Sequence, residues 1–357
     1  MNNRIQNLRQ FLQTNNLSAM LVTAPNNIFY LSGFTGSNSM LIIKKTGGAP
    51  IFYTDFRYQE QSRQQVKGFR IKIINRNLFA NFPTIDLKGV RKLGFEESHL
   101  TFSNYQRIKH ALKSKTKLIP CTDIIENLRS VKDNQELEKI KTAVEITDQV
   151  FNDILKLLKP NVTEIDIANE IEYQFKAKGA TVAFPTIVAF AERSAMPHAF
   201  PTNRKLKKND VVIFDIGAKF QMYCADMTRT VVFGKASKKF KELYNIVLTA
   251  QQLAEEKISA DKKCNEIDSI ARNMIAKKGY NKYFGHGLGH GVGIEVHEKP
   301  VLSSINNEDH LKNNQVVTIE PGIYLPNEFG IRIEDLVVVN NNGCEVLTKS
   351  PKELIEI

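Results

Sequence analysis

Short apolar runs alternate with amphipathic stretches through the first third of the chain. Apolar residues recur at helical spacing over residues 4–15, and runs at 19–23, 40–43, 51–53, 69–74 and 92–95 read as strands. This alternation predicts an α/β domain with a mixed sheet. The turn-rich stretch LSGFTGSN at 31–38 reads as a loop; it has neither the GxGxxG nor the Walker spacing of a phosphate cradle.

The pattern changes near 128–134. Asp133 followed three residues later by Glu136 has the form of a capping box, and Leu137, Ile140, Val144, Val150, Phe151 and Ile154 follow at near-helical spacing until Pro160. A second helix is expected over 163–178, stopped by Gly179, and strands then dominate to 233. The order then repeats, with helices over 238–258 and 264–278, a stop at Gly279 and strands to 339. We therefore expect an α/β N-terminal domain over 1–130 and an internally duplicated α+β domain over 131–357, with the site between the halves of the duplication.

Length supports that division, because 357 residues exceed what one ordinary core accommodates. No run approaches the ~20 apolar residues of a spanning helix, and MNNRIQNLRQFLQ lacks the apolar core of a signal peptide. A cytoplasmic protein without a membrane partner is expected. Cys121, Cys224, Cys264 and Cys344 are scattered without CxxC pairing and read as reduced thiols. The formal charge of +11 is unevenly spread, with 19 Lys and Arg against 7 Asp and Glu over 1–130, and 30 against 31 beyond. No recognition motif accompanies the basic third, so it reads as solvated surface and no nucleic acid is expected as a partner.

The second domain holds the candidate chemistry. VVIFDIG at 211–217 reads as a buried strand and YCADMTRTVVF at 223–233 as its partner; a turn about Phe220 and Gln221 sets Asp215 opposite Asp226 on one face. Two carboxylates so close call for a cation or a shared proton, the alternative being that one Asp caps a turn. FGHGLGHGVGIEVHEKP at 284–300 carries His286, His290 and His297 among five glycines. That density excludes a comfortable helix, so this is not a zincin His pair. Glu320 and Glu334 follow in apolar strands, where an acid is costly unless paired or metal-bound. Alternation also puts Arg332 on the side of Glu334, which leaves a plain salt bridge open.

Asp215, Asp226, the Gly-rich passage around His290, Glu320-Pro-Gly and RIED at 332–335 together resemble the aminopeptidase P/prolidase family of pita-bread metallopeptidases. The resemblance covers roughly 131–350, and GFTGS at 33–37 and TDFRY at 54–58 resemble that family's N-terminal domain. It implies two divalent ions, commonly manganese and sometimes cobalt or zinc. Asp226 and Glu334 would bridge them, with Asp215 on one and His290 and Glu320 on the other. It also implies attack by a metal-bridging hydroxide, Glu320 as proton carrier, His198 and His297 as donors to the scissile carbonyl, and His286 and Arg332 beside the substrate. Phe184 stands where several aminopeptidases P carry a tyrosine. The implied activity is removal of the residue before proline from proline-containing peptides by an Xaa-Pro aminopeptidase, often homodimeric. Rival readings are an Xaa-Pro dipeptidase, a methionine aminopeptidase, a metal-free creatinase-like hydrolase and a non-enzymatic pita-bread binding protein.

Overall fold

Amphipathic patterning first becomes structure in α1 (Asn3–Thr14), which buries Ile5, Leu8 and Leu12. The protein is described by a computed structural model covering residues 3–74, 77–80, 82–113 and 115–357. It divides into two compact units, Met1–Arg129 and Ser130–Ile357.

The first unit continues with β1 (Ala19–Val22), α2 (Pro25–Ser32), β2 (Ser39–Lys44), β3 (Ile51–Asp55), α3 (Gln59–Gln65) and β4 (Arg70–Ile74). Then come β5 (Lys92–Glu96), α4 (Phe102–Leu112), β6 (Lys117–Cys121) and α5 (Ile124–Ser130). Its six strands form one mixed sheet in the order β4-β3-β2-β1-β5-β6. Antiparallel pairs join β1–β2 and β2–β3, and the remaining neighbours are parallel. The stretch expected to be a loop from residue 31 starts later, because α2 keeps Leu31 and Ser32. Pro25 stands in its first turn, and Gly33, at φ 77°, ends it in the left-handed region.

The second unit opens on α6 (Asn134–Leu155), whose N-cap Asp133 and Glu136 form a capping box. It is followed by α7 (Glu164–Ala177), β7 (Thr181–Val182), β8 (Ile187–Phe190), β9 (Asp210–Ile216), β10 (Ala218–Phe220), β11 (Tyr223–Cys224) and β12 (Met227–Phe233). The second half repeats the order with α8 (Lys238–Lys257), α9 (Cys264–Lys277), β13 (Gly289–Gly291), β14 (Glu298–Leu302), β15 (Val316–Ile319), β16 (Gly322–Leu325), β17 (Phe329–Arg332), β18 (Asp335–Asn340) and β19 (Gly343–Val346).

Each half packs a helix pair on a sheet. Val150, Phe151, Ile154, Ile167, Ile171 and Phe175 of α6 and α7 meet Val188, Phe190, Val212 and Phe214 of the β12-β9-β8 sheet. Val247, Ala250, Ile267, Ala271 and Ile275 of α8 and α9 meet Val317, Ile319, Val337 and Val339 of the β14-β13-β15-β18-β19 sheet. The duplication extends to detail. Thr163 and Lys263, preceding α7 and α9, each make an isolated antiparallel bridge to a later residue, Lys205 and His310. No helix among the described residues is long and apolar enough to cross a membrane.

Candidate metal centre

Strand pairing sets the first two carboxylates. The hairpin turns on Gln221 and Met222, both at positive φ, and Asp215 pairs with Thr228 instead of Asp226. A two-residue turn with both φ positive matches the twist of the flanking strands, which explains the shift from the expected turn about Phe220 and Gln221. Moving the turn by one position moves the pairing by two, so Asp215 and Asp226 stay on one face as diagonal neighbours.

From the second half, the ligand atoms of His290 and Glu334 come together with Asp226, all within 4.8 Å of one another. His290 sits on β13, where its Nδ1 lies 3.1 Å from the Gly291 carbonyl. A carbonyl only accepts, so Nδ1 carries a hydrogen and Nε2 faces the cluster, where it would offer its lone pair to a bound cation. Nε2 is 3.3 Å from Glu320 and 3.7 Å from Asp226. The Thr318 hydroxyl accepts from the His290 backbone at 3.0 Å and donates to Glu320 at 3.2 Å. Thr228 does the equivalent for Glu334, donating to Oε2 at 2.6 Å while accepting from Arg332 Nε at 2.9 Å.

Arg332 is turned away from the salt bridge with Glu334 that alternation allowed. Its guanidinium donates to Asp215 at 2.6 Å and to the Tyr324 hydroxyl at 2.7 Å. Tyr324 in turn lies 3.0 Å from His286 Nε2, and His286 Nδ1 lies 2.7 Å from the Gly287 carbonyl. Burial lowers the His286 pKa, so the ring is neutral, donates through Nδ1 and accepts from tyrosine.

So many buried acids cannot all be ionised. Burial, with Glu334 and the other carboxylates beside it, raises Asp226 well above the usual carboxylate range; burial with Glu320 and Asp215 does the same to Glu334. Burial also raises Asp215, against the pull of Arg332. Glu320 goes the other way: burial pushes it up, but the bond and charge of His290, with His286 and Arg332, draw it down to about 2. Burial opposes protonation of His290, and Glu320 outweighs it. Glu334 Oε1 is buried with no hydrogen-bond partner. Such an oxygen is costly at this depth, and a divalent cation is the natural compensation. Carboxylates with one imidazole form an oxygen-rich donor set that suits a hard or borderline ion.

Residues 138–341 match metallopeptidase family M24, and residues 4–131 match the creatinase/prolidase N-terminal domain. The chain belongs to metallopeptidase family M24. It is 39% identical to a solved Xaa-Pro dipeptidase from Bacillus anthracis, with a TM-score of 0.95 and 99% of each chain covered. A solved X-Pro aminopeptidase from Thermotoga maritima MSB8 is 38% identical, with a TM-score of 0.89, over 96% of this chain and 98% of that one. The curated Xaa-Pro dipeptidase of Pyrococcus horikoshii is 36% identical over 99% of both chains.

Membership makes the chain a metallo-exopeptidase that works with divalent ions in a pita-bread fold. In this M24 unit, Asp226, His290 and Glu334 form the tight cluster, Glu320 adjoins it through His290, and Asp215 reaches it through Arg332. His297 stacks edge-on against His290 with ring centres 4.3 Å apart. Burial lowers the His297 pKa, helped by the charges of His290 and of His198, which lies exposed between β8 and β9. Sequence reasoning missed Tyr324, Thr228 and Thr318. Alternation offered a signal for Thr228, two residues from Asp226, and for Thr318, two from Glu320, but none for the bond between Tyr324 and His286.

Proposed function

We propose that the chain hydrolyses the bond between an N-terminal residue and a following proline, using two divalent ions held by Asp215, Asp226, His290, Glu320 and Glu334. The convergence of Asp226, His290 and Glu334, with Glu334 Oε1 unpartnered, carries this reading. Names borne by relatives, Xaa-Pro dipeptidase and X-Pro aminopeptidase, supply the substrate class. Manganese is the proposed metal, and a cytoplasmic homodimer the proposed working form.

The ions, when bound, supply Lewis acidity and an activated water at neutral pH. Glu320 takes the proton released at its carboxylate and returns it to the leaving proline nitrogen. His198 and His297 donate to the carbonyl oxygen as negative charge gathers there. His286, held by Tyr324, lines the substrate side.

Arg332 favours an aminopeptidase. A dipeptidase must bind the free carboxylate of proline, and Arg332 is already engaged by Asp215 and Tyr324. The relatives named Xaa-Pro dipeptidase favour the second reading. Metal-stripped protein should be inactive on Ala-Pro and Ala-Pro-Ala, and added Mn²⁺ should restore cleavage, with the tripeptide at least as good a substrate by kcat/KM. A tenfold preference for the dipeptide, ~1.4 kcal/mol, transfers the assignment to a dipeptidase; full activity without metal removes both readings.

A further inference from the structure

Glu164, the first residue of α7, is fully buried and lies outside the metal donor set. Its carboxylate gathers donors from two separated points of the chain. Oε1 accepts from the Phe190 backbone at 2.8 Å and from Arg193 Nε at 3.1 Å. Oε2 accepts from Arg193 Nε at 3.0 Å, and from the backbone and hydroxyl of Thr202 at 2.8 and 2.7 Å. Arg193 also reaches across to the Phe200 carbonyl at 2.6 Å. One carboxylate thus closes the base of the segment 190–202, and His198 lies on that segment, exposed and outside the base.

The second half contains a parallel arrangement. Asp268 on α9, also fully buried, accepts from the Leu288 backbone at 3.0 Å and from Arg272 at 2.7 and 2.8 Å. Arg272 donates to the carbonyls of Phe284 and His286 at 3.0 and 2.7 Å. In both halves a buried carboxylate on the second helix, paired with an arginine, ties down backbone that carries a histidine; Arg272 shares α9 with Asp268, whereas Arg193 comes from the tied segment itself.

We propose that Glu164 is a positioning residue for His198, closing its loop so that the imidazole is held toward the metal centre. The inference rests on the reading of His198 as a donor to the scissile carbonyl. A carboxylate with donors on both oxygens holds backbone more tightly than a single bond, and a misplacement near 1 Å costs about 100-fold in rate.

Glu164→Gln keeps the volume but turns one acceptor into a donor facing donors. In the manganese-loaded enzyme it is expected to lower kcat on Ala-Pro-Ala by on the order of 10- to 100-fold, with metal content and KM little changed. Hydrogen exchange should quicken across 190–202 and stay unchanged in β9 and β12. In a His198→Ala background, Glu164→Gln should lower kcat no further, because the histidine it serves is gone. Thr202→Val, which removes one hydroxyl donor, should show the same pattern more weakly and stands in if Glu164→Gln does not fold. Unchanged exchange across 190–202, or losses that simply multiply in the double variant, overturn the positioning role and leave His198 as a donor. Near-normal turnover of His198→Ala removes the donor reading itself and the positioning role with it.

Discussion

Thr228 carries one hydroxyl between two groups that would otherwise be stranded in the interior, the Arg332 Nε–H and Glu334 Oε2. A buried donor or acceptor left unpaired forfeits its solvation without compensation. Metal ligands also depend on such outer bonds for orientation. Thr228→Val preserves shape and removes both bonds. It should lower the stability of the metal-loaded protein by about 1–3 kcal/mol and weaken metal binding by roughly 10- to 100-fold. Thermal melting and a chelator-competition titration measure these. Metal held as tightly as in the wild type would show that the hydroxyl does not orient Glu334.

Among the elements, β13 is the shortest strand to carry a proposed ligand, and glycine flanks His290 for a steric reason. A Cβ on Gly289 would lie 2.0 Å from the Thr318 carbonyl oxygen, and one on Gly291 would lie 2.2 Å from that of Lys299. Both obstacles are backbone, which cannot swing aside, so the glycines let β13 sit between β14 and β15 at a distance that brings His290 to Glu320. Gly285, earlier in the same passage, has nothing within 4 Å of its virtual Cβ. Gly289→Ala should therefore cost at least about 1–3 kcal/mol of stability together with metal affinity. Gly285→Ala should change neither. Equal melting temperatures for the two variants would remove the packing argument.

Over the whole catalytic unit, buried charge joins the two halves of the duplication. Arg229, from β12 in the first half, donates to the Glu334 carbonyl, to Asp335 at 2.6 Å and to the carbonyls of Ser350 and Pro351. Lys352 adds contacts to Asp335 at 2.7 Å and Glu255 at 2.6 Å. Two cations serve Asp335, which stays ionised with its pKa lowered against the opposing effect of burial. Burial and the charge on Asp335 lift Glu255 from 4.5 to about 7. A carboxyl whose pKa rises on folding contributes stability that is fully present below its unfolded value of 4.5 and is lost as pH rises through about 7. Asp335 is ionised in both states across that window, and the Lys352 pKa, raised above 10.5, lies beyond it. Between pH 5 and 8 the wild type should lose melting temperature relative to Glu255→Gln, which cannot ionise there. A constant difference between the two across that range would place the proton elsewhere.

The sequence by itself determined what depends on near neighbours. The Asp133–Glu136 capping box, the apolar face of α6, the stops after α7 and α9 and the repeated helix–helix–strand order all follow from interactions within a few residues. Asp226 was noticeable as the acid set beside Asp215 by the hairpin, His290 as one of three histidines in a glycine-rich passage, and Glu334 as an acid in an apolar strand that needs a partner. Only the tertiary structure decided who those partners are. The hairpin register turned on whether the turn falls on Gln221 and Met222 or on Phe220 and Gln221, a difference of one residue that periodicity cannot resolve. Arg332 chose Asp215, 117 positions away, over Glu334, two away, because the fold points its guanidinium across the strands. Alternation placed Thr228 and Thr318 on the faces of Asp226 and Glu320, but their hydroxyls bond groups from other strands, and the bond of Tyr324 to His286, a direction set by packing, leaves no mark in the local pattern.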